Sequence, residues 1–369
     1  MQTGTLFFRQ DSDFTPHAIS AVLSKLHPGT QVRSATIRAK HQGSASHIDL
    51  ALDYAANPDN LPPRMFVKTL LDAERAKLPS GFAENLMGKL AVALYVTETR
   101  AYAEIATEIS IESPRVFAAG LGDRPGDFFL FLENLTDRHV ICPKVVPALS
   151  VDVIDRLLKQ LAILHAAYWQ SPRLTTDFAW LSTATTGEGS DFLREGGWAS
   201  IDAEMAVPFK ARILRETGID GPELQRAFWA RQESLEHGPQ TLLHGDPHPG
   251  NIYFLPDGAV GLLDWQLARR GSWTHDVSYA IAAALSPEDR RASERDLLAM
   301  YRSELVKLGI MNPPPVDAMW LSHRQSPAWG LPMWGITPAA MYSEEEIGGV
   351  MERFSAAWRD FDTSAALGG

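Results

Sequence analysis

The sequence predicts an α+β fold in two lobes: a five-stranded antiparallel sheet with one long helix, then a large, mostly helical region interrupted by one hairpin. Three observations predict it. Short β-branched and aromatic runs bounded by Gly, Pro and Asn crowd residues 32–133. From Ser150 onward apolar residues recur at helical spacing, as in Ile154-Leu157-Leu158-Leu161-Leu164. One pair of short apolar runs, on either side of Pro256-Asp257-Gly258, breaks that helical half. The strand-rich half ends near Leu135-Thr136, which divides the chain into 1–135, including an N-terminal helix, and 136–369.

Each element has a local signal. Thr15-Pro16 supplies an N-cap and an N1 proline, and Gly29 closes that first helix. Strands follow at Val32–Ala39, His47–Tyr54 and Met65–Leu70, separated by Gly43-Ser44-Ala45-Ser46 and by the Pro- and Asn-rich stretch 57–63. A long helix is expected from about Ala83 to Ile109, then strands at Arg115–Ala119 and Phe128–Glu133. Helices are expected at about Ile201–Glu216, Pro222–Glu236, Thr274–Leu285 and Pro287–Leu308, with Pro313-Pro314-Pro315 as a rigid spacer before the last ones. Between them, Ile252–Leu255 and Val260–Leu263 read as the two strands of the hairpin.

Composition narrows the function. The 369 residues are 45% hydrophobic, enough for a core in each lobe. A net charge of −11 with scattered Lys and Arg repels an extended phosphate backbone, so nucleic acid is not an expected partner. No apolar run is long enough to cross a bilayer, and residues 1–15 lack the basic and apolar regions of a signal peptide, so the expected location is cytoplasmic. The only cysteine, Cys142, has no internal disulfide partner and reads as a buried structural thiol.

The chemistry concentrates in Leu243-His244-Gly245-Asp246-Pro247-His248-Pro249-Gly250-Asn251 and in Leu262-Leu263-Asp264-Trp265. Asp246 and Asn251 are five positions apart, and Asp264 follows thirteen later, the span of a hairpin. Two acids and an amide so spaced suit metal-assisted phosphoryl transfer from a nucleotide. Asp246 would accept or orient a substrate hydroxyl, while Asn251 and Asp264 would hold the Mg²⁺ that neutralises the transferring phosphate. A rival reading takes His244 and His248 as zinc ligands of a metal-dependent hydrolase, but no further His or Cys cluster completes a tetrahedral site.

These motifs, with Leu263-Asp264-Trp265-Gln266 and Thr274-His275-Asp276-Val277, resemble the aminoglycoside phosphotransferase and choline kinase superfamily, whose fold is that of protein kinases. The likeness runs from about residue 30 to the C-terminus and is closest to the ecdysteroid-kinase-like bacterial phosphotransferase branch. It implies an active small-molecule O-phosphotransferase using ATP or GTP. It also implies that Lys68, in Phe66-Val67-Lys68-Thr69-Leu70, contacts nucleotide phosphates and pairs with Glu98 on the long helix. Backbone N–H groups and the hydroxyls of Ser44 and Ser46 would cover the phosphates, although this turn has one glycine and no G-x-G-x-x-G. Glu133 and Leu135, in Phe131-Leu132-Glu133-Asn134-Leu135, would meet the base of the nucleotide. His244 and Asp276 would brace the catalytic loop.

Substrate recognition is expected from the C-terminal segment 317–342, rich in large apolar groups: Trp329 and Trp334, with Arg324 and, from the loop, His248, are candidate contacts for a small-molecule hydroxyl substrate. An aromatic core beneath irregular loops accounts for the same residues. A nucleotide-binding pseudokinase acting as an interaction module is the alternative from another class. The oligomeric state has no sequence signal.

Overall fold

The computed structural model describes residues 7–43, 45–78, 81, 82 and 84–368. The chain folds as two compact units, one of residues 1–140 with 264–266, the other of 141–263 with 267–369.

In the first unit a helix, α1 (Pro16–Leu23), is capped by Thr15, whose Oγ1 accepts the N–H of Ala18. Five strands follow: β1 (Gln31–Gln42), β2 (Ser46–Ala56), β3 (Arg64–Thr69), β4 (Val116–Leu121) and β5 (Phe128–Glu133). They form one antiparallel sheet in the order β1-β2-β3-β5-β4, as expected. Strand alternation sorts the side chains. Ile48, Leu50, Met65, Val67, Phe129 and Phe131 face one way, into a core shared with Phe8 and with Ile19, Val22 and Leu23 of α1. His47, Lys68 and Leu130 stand opposite one another across β2, β3 and β5 and face the other way. That second face meets the long helix α2 (Leu86–Arg100), where Tyr95 stacks on Phe128 at 4.7 Å. The helix starts at the Asn85 cap and passes into a π-turn at Ala101–Ile105; Ala83, the expected first residue, lies outside the described residues.

The second unit holds α3 (Val151–Ala167), α4 (Trp198–Met205), α5 (Pro208–Thr217), α6 (Gly221–Leu235), α7 (Thr274–Ala284), α8 (Pro287–Lys307), α9 (Val316–Arg324), α10 (Pro327–Ile336) and α11 (Glu344–Phe361). Every residue of α7 is buried, which makes it the central post of the unit. Two short antiparallel pairs interrupt the helices: β6 (Gln240–Leu243) with β9 (Arg269–Ser272), and the hairpin of β7 (Ile252–Phe254) and β8 (Val260–Leu262). The Leu263 N–H bonds the Asn251 carbonyl at 3.0 Å and closes the hairpin base.

Two expectations need correction. The single helix over 201–216 is two, α4 and α5, because Pro208 has no N–H to continue the first and instead occupies N1 of the second. Cys142 is exposed; it follows Ile141, whose backbone bridges Phe254, in an irregular stretch that buries neither side chain. Among the described residues no helix is long and apolar enough to cross a membrane.

Candidate active site

The candidate residues fall into two groups of side chains, one in each unit. In the first, Lys68 and Glu98 are both buried, and the Lys68 Nζ lies 2.8 Å from Glu98 Oε1 and 2.6 Å from Oε2. Asp264 Oδ1 is 3.8 Å from the same nitrogen. Burial works against the ammonium, but Glu98 and then Asp264 outweigh it and hold the Lys68 pKa above the ordinary lysine value. Burial pushes the Glu98 carboxyl upward against the pull of Lys68. Asp264 Oδ1 is shut from solvent and accepts no hydrogen bond from a described residue, and the backbone at Asp264 has a φ of 64°, a left-handed conformation that costs a non-glycine residue energy. A strained acid with an orphaned oxygen beside an ammonium has the donor chemistry of a Mg²⁺ ligand.

In the second unit the loop after β6 is held from behind. The Asp276 carboxylate, in the first turn of α7, accepts the backbone N–H groups of His244 and Gly245 at 2.7 and 2.9 Å and faces His165 Nε2 at 3.3 Å. Burial would raise the Asp276 pKa, but the His165 hydrogen bond and the nearby imidazoles bring it down to about 2. His275 Nε2 donates to the Gly245 carbonyl at 2.8 Å, while its Nδ1 accepts from Arg269 at 2.6 Å. Burial and the adjacent Arg269 keep His275 neutral, well below the ordinary histidine pKa. Gly245 itself has a φ of 88°, and a Cβ there would lie 1.9 Å from the Leu267 carbonyl oxygen. Only glycine fits. His244 Nε2 donates to the Leu263 carbonyl at 3.0 Å and its Nδ1 accepts the Asp246 N–H at 3.3 Å, so both ring nitrogens serve the loop.

Asp246 emerges from this framework. The Asn251 side-chain amide donates to Asp246 Oδ2 at 2.9 Å and to its carbonyl at 3.0 Å, leaving the amide oxygen as the end suited to a hard cation. His248 Nε2 is 3.5 Å from Asp246 Oδ2, and its Nδ1 accepts the Gly250 N–H at 2.9 Å. The buried Tyr279 hydroxyl lies near the Asp246 carboxylate and receives the Trp334 indole N–H at 3.0 Å; burial first, then Asp246, raises its pKa well above the ordinary tyrosine value. Trp334 and Tyr342 stand edge-on to His248 at 5.3 and 6.2 Å, an aromatic wall beside the carboxylate.

The structure thus places Lys68, Glu98 and Asp264 together in one unit. In the other it gathers Asp246, Asn251, His248 and Trp334, with His244 and Asp276 behind them. Trp329 stands one layer further back, edge-on to His275 at 4.9 Å and beneath the Arg269 guanidinium. Arg324 is not brought to this group: its Nε donates to the Phe361 carbonyl at 2.6 Å. Ser44 lies outside the described residues. The Ser46 hydroxyl accepts the Leu71 N–H at 3.3 Å, and Ser46, paired with Thr69, stands on the face of the sheet opposite to Lys68. Glu133 ends β5 with its N–H on the Arg115 carbonyl at 2.8 Å and its carboxylate facing Arg138 at 3.4 Å, and Leu135 opens a short 3-10 helix.

His165, Arg269 and Tyr279 carry no local sequence signal. His165 comes from the last turn of α3, and its link to Asp276 spans 111 positions. His275 was visible only as a letter within Thr274-His275-Asp276-Val277. Among the described residues no group of three or more His, Cys, Asp or Glu side chains is arranged to hold a metal ion.

The profile of the family described as "Phosphotransferase enzyme family" matches residues 90–308. No curated protein matches the chain. Among solved structures, a protein of Ralstonia eutropha assigned as an aminoglycoside phosphotransferase aligns at 12% identity over 94% of this chain and 98% of its own, with a TM-score of 0.48. A microcompartment-associated aminopropanol kinase aligns at 13% identity over 93% and 98%, with a TM-score of 0.45. A choline kinase from Streptococcus pneumoniae aligns at 10% identity over 94% and 98%, with a TM-score of 0.42.

Proposed function

Starting from the fact that this chain belongs to the phosphotransferase enzyme family, we propose that it transfers the γ-phosphate of ATP or GTP to a hydroxyl group of a small molecule. The observation that carries this reading is the Asp246–Asn251 pair: an acid held by an amide five positions on, in a loop fixed by Asp276 and His275. Such a pair presents one carboxylate in a set orientation, and phosphoryl transfer through a loose transition state rewards positioning above all.

In this reading Asp246 orients the acceptor hydroxyl and takes its proton as the acceptor oxygen bonds the γ-phosphorus and the bond from that phosphorus to the β–γ bridging oxygen breaks, releasing ADP or GDP. Asn251 keeps that carboxylate from turning. Lys68, kept charged and aimed by Glu98, holds the nucleotide phosphates. Asn251 and Asp264 would hold Mg²⁺, which when bound neutralises charge on the transferring group. His248, Trp334 and Tyr342 set aromatic edges beside the Asp246 carboxylate, which favours an acceptor with an apolar or ring-shaped body.

The test is release of ADP or GDP, with Mg²⁺, across a panel of hydroxyl compounds: aminoglycosides, choline and ethanolamine, amino sugars, and sterols or other hydrophobic alcohols. Asp246→Ala protein is the blank. Turnover on one class that disappears in the variant supports the proposal and identifies the acceptor. Nucleotide binding without turnover on any compound supports the pseudokinase alternative, and absence of nucleotide binding overturns both.

A further inference from the structure

The turn between β1 and β2 has a single glycine, too few for the nest of backbone N–H groups that usually wraps a polyphosphate. Next to it the structure sets a row of side chains instead. His41 on β1 stands directly opposite His47 on β2, and His47 directly opposite Lys68 on β3. Residues so paired point to one face with neighbouring Cβ atoms. The row therefore leads from the turn to the buried ammonium.

His47 is the unusual member. Its Nε2 is shut from solvent and bonded to no described residue. A buried imidazole nitrogen with no partner is costly, and such groups are expected where a ligand completes them. Packing fixes the ring: Phe66 lies at 5.2 Å, and Gly43 rests on its edge so closely that a Cβ there would come within 2.9 Å of Cε1. The one glycine of the turn is the residue seated on this imidazole. Burial, and then Lys68, bring the His47 pKa down to about 4, so the ring is a neutral hydrogen-bond donor near neutral pH. Asp264, whose Oδ1 is also orphaned, pulls the His47 pKa the other way and offsets this only in part.

We propose that His47 is a phosphate-contacting residue, whose imidazole N–H, beside the Lys68 ammonium, donates to a nucleotide phosphate oxygen. The inference rests on the nucleotide-dependent reading above and names a residue that reading does not use. It deals with binding alone and requires no change in protonation.

The experiment compares wild type with His47→Phe, which keeps a ring against Phe66 but has no donor, and His47→Gln, which keeps an N–H at similar reach. Affinities for MgATP, MgGTP, adenosine and guanosine are measured by calorimetry, and thermal melts check that each variant is folded. The expected result is a loss of about tenfold in triphosphate affinity for His47→Phe, the size of one charge-assisted hydrogen bond. Nucleoside affinity should be unchanged, and His47→Gln should lie within about threefold of wild type. His47→Phe binding triphosphate as wild type does would overturn the proposal, since the ring would then only pack. So would an equal loss for triphosphate and nucleoside, or a Gln variant as weak as Phe in a folded protein. Wild-type protein that binds no nucleotide would fail the parent reading directly, and that failure is seen before any variant is compared.

Discussion

Asn251 donates its side-chain N–H to Asp246 Oδ2 at 2.9 Å, so the amide and the acid that the sequence spaces five apart meet as one unit. Asp246→Ala should lower turnover about 10²–10⁴-fold, the usual range for loss of a positioned acid–base group. Asn251→Ala should also lower kcat, because it releases that carboxylate. Initial rates at saturating nucleotide test this, and a change confined to KM in both variants would count against the assigned roles.

Lys68 and Glu98 form a buried ion pair, and the cost of breaking it differs from the cost of replacing it. Glu98→Ala leaves an ammonium buried with Asp264 at 3.8 Å as its nearest carboxylate among the described residues, and should destabilise the protein by about 3 kcal/mol. The double variant Lys68→Met, Glu98→Leu should regain most of that stability while abolishing transfer. Denaturant melts of the two singles and the double measure the coupling; strictly additive losses would show that the pair is not coupled.

Gly245→Ala should be among the most damaging single substitutions outside the hydrophobic core. The φ of 88° and a Cβ placed 1.9 Å from the Leu267 oxygen require the loop to move, and moving it would break the Asp276 and His275 bonds to this residue. A loss of about 2–4 kcal/mol, or failure to accumulate as folded protein, is expected. A stable variant with near-normal activity would mean that the loop does not need this geometry.

Asp276 predicts an acid limb of stability. Its folded pKa of about 2 lies below the ordinary 3.8, so its contribution is fully present above about pH 4 and is lost as pH falls toward 2. A shift of this size corresponds to about 2 kcal/mol. Asp276→Asn should flatten the stability profile between pH 4 and 2 relative to wild type. Parallel profiles in that window would assign the acid sensitivity to other carboxylates.

Much of this protein was legible from local signals. The sheet, the hairpin and the Asp246, Asn251 and Asp264 set are written in strand alternation, turn residues and fixed spacing, because these depend on neighbours a few positions away. Pro208 marked a helix break that apolar periodicity alone passed over, and the exposure of Cys142 could not be read from one residue in an irregular segment. What holds the site was not written locally. His165 on α3, Arg269 on β9, and His275 and Tyr279 on α7 support the loop after β6 directly or through one another and Asp276, and the direction of the Ser46 hydroxyl depended on a one-residue difference in strand register.

The sequence by itself therefore determined the class of fold and the family, and it nominated the candidate residues, since short-range spacing and hydrophobic periodicity encode these. Only the tertiary structure decided which of those residues are buried, bonded or left with an orphaned atom. Burial and hydrogen-bond partnership are sums over the surrounding protein: they hold Asp276 ionised, Lys68 charged and His47 neutral, and no single stretch of chain contains them.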